Sequence, residues 1–402
     1  MNRLSYYSGF AILLAALLWS CKTKPVQTGQ IETIKANGKH IPVIRLDQAP
    51  DSATTIKLTD FFKDFKIIPL ETNKECLIQN TQLCFTDHSI LICTQAQGAD
   101  GACRVLEFGM DGKFIKEFGR GGKGPGEHVG YMAIELSWYP EDREVFMSFL
   151  GFGAENMLFN EDGTFVRQIK NPIKFAEGIK KFNHTLWMTA GSMAGNPDVR
   201  RDSLRLILYT ADGTEVKAWP RTVYPPTGRK GYSPGGWGES LYKYQDQWQL
   251  YSPGCDTLYH ISPEQLDPVA VFNRGPKGDA YNECVDPSQV VGKYSFKVVN
   301  ETERHWYFLK AVTTKAEIHE YRPGKWGGIF EGNDFLIVIN KKTGAIQNLR
   351  FEDDYLGILP ELKSVKTVEW AEAGQPFIVL QSLDFKEKCA SALKKGDLDP
   401  KV

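Results

Sequence analysis

One phrase recurs through the middle of this chain. Residues 104–118 read RVLEFGMDGKFIKEF, residues 155–169 read ENMLFNEDGTFVRQI, and residues 205–219 read RLILYTADGTEVKAW. Each copy is an apolar run, a turn centred on Asp-Gly, and a second run of alternating character. Asp-Gly between such runs marks a β-hairpin, because the turn needs positive φ and glycine takes it without steric cost. The turn glycines are Gly112, Gly163 and Gly213, so the spacing is 51 and then 50 residues. Weaker copies follow at TLYHISPEQLDPVAVF (257–272), with Pro263-Glu264 at the turn, and at FLIVINKKTGAIQNLRF (335–351), with Lys342-Thr343-Gly344.

Further apolar runs lie between the copies: SILICTQ, EVFMSFL, TLWMTAG, QWQLYSP and HWYFLKA. Each precedes its hairpin and is expected as an inner strand. A period near 50 residues with about four short strands per unit is the pattern of a β-propeller. One such sheet cannot bury both of its faces; a ring of them can. Five blades follow from the motifs. A sixth is expected from both ends of the chain, KTVEWAEAGQPFIVLQSL (366–383) with HIPVIRL (40–46) and FKIIPLE (65–71). Closure by strands from both termini leaves no open edge between the first and last blades. The expected fold is therefore all-β, a six-bladed β-propeller closed by strands from both termini and spanning residues 36–390. A polar tail, residues 391–402, follows it.

The N-terminus is a separate element. Arg3 is followed by an apolar run of about ten residues, Gly9 to Leu18, too short to span a bilayer as a helix. It ends in LWSC, Leu18 to Cys21. A run of this kind, ending in a small residue and then cysteine, resembles a bacterial lipoprotein signal. The resemblance implies that residues 1–20 are removed, that Cys21 is lipidated and that residues 21–35 form anchor and linker. An ordinary secretory signal cut nearby is the alternative. Removing residues 1–20 takes away only Arg3, which leaves 47 basic against 49 acidic side chains. That balance gives no basic excess for nucleic-acid binding. With Cys21 lipidated, seven of the eight cysteines remain, an odd number that no set of internal disulfides can exhaust. Cys84 and Cys93 would face each other across a hairpin turning at His88-Ser89. A disulfide there and two reduced core thiols are both open, and the reduced pair is preferred. No CxxC pair or His/Cys cluster has zinc spacing.

Two stretches, LTDFFKDFKIIPLETNKECLI (58–78) and FGMDGKFIKEFGRGGKGPGEH (108–128), resemble the six-bladed propeller lipoproteins of Bacteroidetes, relatives of NHL-repeat proteins. The resemblance covers most of the chain after the signal. It implies a fold and a place in the cell envelope, tethered to the outer membrane, and no activity. The linker KTKPVQTGQ lacks the acidic cluster that accompanies surface export in some such lipoproteins, which favours the periplasmic face.

GRGGKGPGEH (119–128) joins the outer strand of one blade to the first strand of the next. Glycines allow the reversal and Pro125 stiffens it. It is not a Walker loop, which needs Gly-Lys-Ser/Thr entering a helix. Similar stretches recur at TGRKGYSPGGWGE (227–239), NRGPKGDAYNE (273–283) and YRPGKWGG (321–328). Propeller architecture puts these loops on one rim, around a central channel. The candidate ligand-binding residues are Arg120, Lys123, Arg229, Tyr232, Trp237, Arg274, Lys277, Tyr281, Arg322 and Trp326. Cations beside flat aromatic rings suit an acidic or neutral glycan, or an extended peptide.

Two other readings compete. The rim serves an envelope protein as a docking platform, or the channel mouth holds a catalytic site. Propellers related to NHL repeats include lyases and hydrolases that use a metal or acid/base residues there. The candidates are Glu127, His128, Asp279 and Glu283. No cofactor is evident, although a channel metal ion fits the enzyme reading, and no nucleophile elbow or HExxH motif is present. The expectation is a monomeric, membrane-tethered, non-catalytic binding protein for a glycan, peptide or protein.

Overall fold

A computed structural model describes residues 31–62, 66–78, 81–94, 103–128, 132–150, 155–173, 178–190, 204–220, 240–251, 256–276, 278, 291–292, 294–322, 325–352, 354, 369–370 and 376–377. The chain opens with β1 (Glu32–Ala36), β2 (Lys39–Arg45), β3 (Thr54–Lys57) and the one-turn helix α1 (Leu58–Phe61). Five antiparallel meanders follow. The first is β4 (Thr81–Phe85), β5 (Ser89–Thr94), β6 (Arg104–Gly109) and β7 (Phe114–Glu117). Two short strands, β8 (Arg120–Gly121) and β9 (Glu127–His128), lead to the second: β10 (Met132–Tyr139), β11 (Glu144–Leu150), β12 (Glu155–Asn160) and β13 (Phe165–Gln168). The third is β14 (Ile179–Lys181), β15 (Leu186–Ala190), β16 (Leu204–Thr210) and β17 (Glu215–Pro220). The fourth is β18 (Ser240–Tyr244), β19 (Gln247–Tyr251), β20 (Thr257–Ile261) and β21 (Leu266–Asn273). The fifth is β22 (Tyr294–Glu301), β23 (His305–Arg322), β24 (Lys325–Asn340) and β25 (Ile346–Glu352). A two-stranded pair, β26 (Glu369–Trp370) and β27 (Pro376–Phe377), comes last.

The sheets stack face to face in chain order. Strand alternation sends successive side chains to opposite faces, so a strand buried on both sides reads as continuously apolar. In β5, Leu91 and Cys93 enter the core shared with the second sheet, while Ile90 and Ile92 enter a core on the opposite face. In β11, Val145, Met147 and Phe149 face the first sheet, and Phe146 faces the third. Met188 of the third sheet meets Trp248 and Leu250 of the fourth. Tyr251, Phe272, Trp306 and Phe308 join the fourth to the fifth, with ring centroids 4.7–6.0 Å apart and steeply inclined. The first strands converge: β10 lies against β4 and β14, and β18 against β22.

The repeat is confirmed at its turns. Gly112, Gly163 and Gly213 have φ of +84°, +85° and +88°, and Gly344 has +69°. At Gly112 a β-carbon would also collide with the Pro69 carbonyl oxygen. The five apolar runs are inner strands that precede their hairpins, as expected. They are β5, β11, β15, β19 and β23, the second strand of each sheet, with a further strand before each.

The N-terminal strands differ from expectation. HIPVIRL was expected in a closing blade with residues 366–383. Instead β2 runs parallel to β21, with Val43 opposite Val271 and Arg45 opposite Asn273. β1 pairs with its outer side, giving that sheet six strands. β3 likewise adds parallel to β25, from Thr54 opposite Leu349 to Lys57 opposite Glu352. The described part of FKIIPLE, residues 66–71, forms no strand; it lies along the first sheet's outer turn, where the Glu71 amide donates to the Gly112 carbonyl at 2.8 Å. The chain thus straps the outer edges of two sheets before entering the first. Hydrogen bonds hold the strap: Tyr294 to Asp51 at 2.8 Å, the Asn348 amide to the Pro50 carbonyl at 3.0 Å, and the Thr59 amide to Asp354 at 3.1 Å.

Cys84 and Cys93 are buried thiols. The β4–β5 turn spans residues 86–89, so Cys84 faces Leu91 and Cys93 faces Gln82, and the two sulfurs are not opposed.

Candidate functional site

The glycine-rich crossover is built around its own carboxylate. The Gly124 amide donates to Glu127 Oε2 at 2.8 Å, the Glu127 amide to the Gly124 carbonyl at 3.0 Å, and the Gly122 amide to the His128 carbonyl at 2.9 Å. A parallel bridge sets Arg120 opposite Glu127 and Gly121 opposite His128. Gly122 has φ +152°, and a β-carbon on it would strike the Glu127 carboxylate. The carboxylate therefore fills the space inside the loop. His128 is 1% exposed and its ring stacks on Phe149, with centroids 3.9 Å apart and planes within 7°. Burial lowers its pKa, against a smaller opposing pull from Glu117. Glu127 and His128, two of the four catalytic candidates, thus hold the loop and its neighbouring core.

Between this loop and the second sheet lies a half-open cavity of about 370 Å³. Lys123, Gly124, Pro125, Gly126 and Glu127 form one wall; Met157, Phe165 and Gln168 form the other. Met157 and Phe165 come from β12 and β13, the outer strands of their sheet. The cavity therefore lies toward the outer strands of the second sheet, away from its first strand. The reason is its path: it passes over β13 before reaching β10. Gly126, at φ +75°, packs so closely on Phe165 that a β-carbon would clash with that side chain. Lys123 is exposed at the lip.

The other expected rim residues divide into four sets. Arg120 is exposed on β8. Arg274 is not available in the same way: its side chain is 11% exposed and its Nε donates to Asp256 at 2.5 Å. Arg322 and Trp326 lie at the far end of the β23–β24 ribbon, at register positions opposite Lys325 and Glu320. Beyond Val312 and Leu336 these two strands pair only with each other, which accounts for much of the 80-residue interval from Glu264 to Gly344, against about 50 between the earlier turns. Arg229, Tyr232, Trp237, Lys277, Asp279, Tyr281, Glu283 and Cys21 lie outside the described residues.

A charged cluster where the second and third sheets meet was not anticipated. Lys181 donates to Asp142 at 2.5 Å and to Glu144, and its own amide donates to Tyr139 Oη at 2.8 Å. His184 Nδ1 lies 2.5 Å from the other Asp142 oxygen. Nearby, Lys180 pairs with Glu135 at 2.8 Å. Burial pushes the Asp142 pKa up, but the hydrogen bonds from Lys181 and His184 outweigh it and the net direction is down. The Lys181 ammonium sits where two carboxylates converge. Among the described residues no group of three or more metal-type ligands converges. The members come from different sheets, so no local spacing in the sequence signals them.

Comparison with known families decides the relationship. The model for a domain of unknown function, DUF4934, matches residues 41–401. The chain belongs to the DUF4934 family. Among solved structures, a Bacteroides fragilis protein designated as exported matches with a TM-score of 0.54 at 13% identity, over 75% of this chain and 79% of that one. A DUF4221 family member from Bacteroides vulgatus matches with a TM-score of 0.43 at 11% identity, over 70% and 83%. The β-propeller domain of Cps50 (Swd1) from Myceliophteria thermophila matches with a TM-score of 0.33 at 10% identity, over 68% and 87%. No curated protein matches. The first of these likenesses bears on the fold alone. Among the described residues, no helix is long and apolar enough to cross a membrane.

Proposed function

We propose that this DUF4934 protein is a lipid-anchored, six-bladed propeller of the cell envelope that binds an acidic glycan or peptide without transforming it. The cavity under the 119–128 crossover carries the reading. It offers an exposed ammonium, Lys123, an aromatic wall, Phe165, and a side-chain amide, Gln168. A cation for a carboxylate or sulfate beside an apolar ring is the pairing such ligands need. Glu127 is engaged by the loop backbone and His128 is buried, which weighs against acid/base chemistry at this place.

The six-bladed ring is supported by how strand ends meet turns. Lys170, just after β13, donates its amide to Ala211 in the third sheet's turn at 2.9 Å. Glu71 meets Gly112 of the first sheet in the same way. Residues 66–71 therefore stand where the end of a preceding blade's outer strand would stand, and residues 366–383 would supply the rest of that blade. Lipidation at Cys21 would place the anchor about ten residues before β1.

A glycan and peptide array on the chain from residue 22, followed by calorimetry, tests the binding. Lys123→Glu is expected to weaken capture of acidic ligands at least tenfold, about 1.4 kcal/mol, with an unchanged melting transition. Equal affinity in the folded variant would remove this cavity as the site.

A further inference from the structure

Where the fourth and fifth sheets meet, the protein builds a cage of the kind that recognises ammonium ions. Its acceptor is Glu301, at the end of β22, whose side chain is 3% exposed. Trp306 Nε1 donates to Glu301 Oε1 at 3.0 Å, and Tyr242 Oη donates to Oε2 at 2.7 Å. These two donors fix the carboxylate, which would be costly to bury unpartnered. Burial, reinforced by Glu301, raises the Tyr242 pKa well above its usual value, so the phenol stays a donor. The cation is Lys341, from the β24–β25 turn. Its Nζ lies 2.6 Å from Glu301 Oε1, 4.1 Å from the centroid of the Tyr244 ring and 5.1 Å from that of Trp306.

An ammonium held between a carboxylate and two ring faces gains both from the ion pair and from the ring quadrupoles. Tyr242 and Tyr244 belong to the fourth sheet; Glu301, Trp306 and Lys341 belong to the fifth. The turn that presents Lys341 is itself fixed, since the Lys341 amide donates to the Arg304 carbonyl at 2.9 Å and the Lys342 and Thr343 amides both donate to Asn340 Oδ1 at 3.0 Å. The Lys341 side chain remains 18% exposed, so solvent reaches part of it.

We propose that Tyr242, Tyr244, Glu301 and Trp306 form a binding site for a primary alkylammonium, filled in the resting protein by Lys341, which thereby latches the fourth sheet to the fifth. The contact with Glu301 requires an N–H, so a primary ammonium is preferred to a quaternary one. A planar guanidinium does not match an ammonium seated between two rings and one oxygen. A tethered lysine competes at high effective concentration, so a free amine occupies the cage only when the tether is gone.

Lys341→Ala tests the site, because it removes both the ammonium and the stem and so leaves room for a free alkylammonium. Its Tm is expected to fall by roughly 3–6 °C. Propylammonium chloride should restore Tm along a saturating curve, while sodium chloride and tetramethylammonium chloride at equal concentration should not. Adding Glu301→Gln should abolish the rescue, and the wild type should show no saturable gain. If Lys341→Ala is recovered only unfolded, refolding yield in propylammonium against sodium chloride gives the same comparison. An unchanged Tm in Lys341→Ala, or recovery that sodium chloride matches, overturns the proposal.

Discussion

His128 shows how one side chain can look like chemistry in sequence and act as packing in the fold. It follows a glycine-rich loop and a glutamate, the setting of many catalytic histidines. In the structure it lies flat on Phe149 and is shut away from water. Protonating a buried imidazole costs desolvation, which is why its pKa is depressed. The unfolded chain then binds a proton more readily than the native one. The stability this histidine contributes is full above its unfolded pKa, near 6.5, and is lost as pH falls through the lower folded value. The wild type is expected to lose on the order of 1 kcal/mol more stability between pH 7.5 and pH 5 than His128→Phe, which keeps a ring on Phe149 and cannot titrate. Urea titrations at the two pH values measure the difference. Equal pH dependence in the two proteins would show that His128 does not carry it.

At the scale of elements, the strap is the feature that departs furthest from a plain repeat. β2 and β3 are short parallel strands on the outer edges of the fourth and fifth sheets, and their hold depends on a few inward side chains. Ile44 is the main one: it is 1% exposed and enters the core between those sheets. Ile34, on β1, is exposed. Ile44→Ala is expected to cost about 2–4 kcal/mol and Ile34→Ala within about 0.5 kcal/mol, measured by urea denaturation. Similar values for both would mean that the strap is not seated by that side chain. The contrast with the hairpins explains what could be read in advance. Gly112, Gly163 and Gly213 answer to a local rule, positive φ at a tight turn, so the meanders were visible. Parallel addition of β2 to β21 joins residues more than two hundred apart and has no local signature. The same holds for the candidate site. The loop 119–128 was recognisable as a crossover, but its seat against Phe165 and the capture of Glu127 by Gly124 depend on tertiary contact. Lys181 with Asp142, and Lys341 with Glu301, unite residues from different strands and were invisible for that reason.

For the whole molecule, the fifth sheet and the first each turn an apolar face away from their known neighbours. The fifth sheet turns Leu309, Leu336, Val338, Leu349 and Phe351 away from the fourth, with Ile56, Phe61 and Phe62 against them. The first sheet turns Ile90, Ile92, Leu106 and Phe108 away from the second, with Ile68 and Leu70 against them. All nine sheet residues are buried, and two such faces left bare would favour association. A sixth blade completed by residues 366–383 would lie between them. A chain ending at residue 353 then loses the cover on both faces at once. It is expected to bind a hydrophobic dye, to elute from size-exclusion chromatography as oligomers, and to melt at least 10 °C below the intact protein, since several large side chains become exposed together. Substituting the exposed Val216, on the outer edge of the third sheet, should do none of these things. A truncated chain that stays monomeric with the melting temperature of the full protein would show that the C-terminal segment does not close the ring, and that α1 and residues 66–71 suffice to cover both faces.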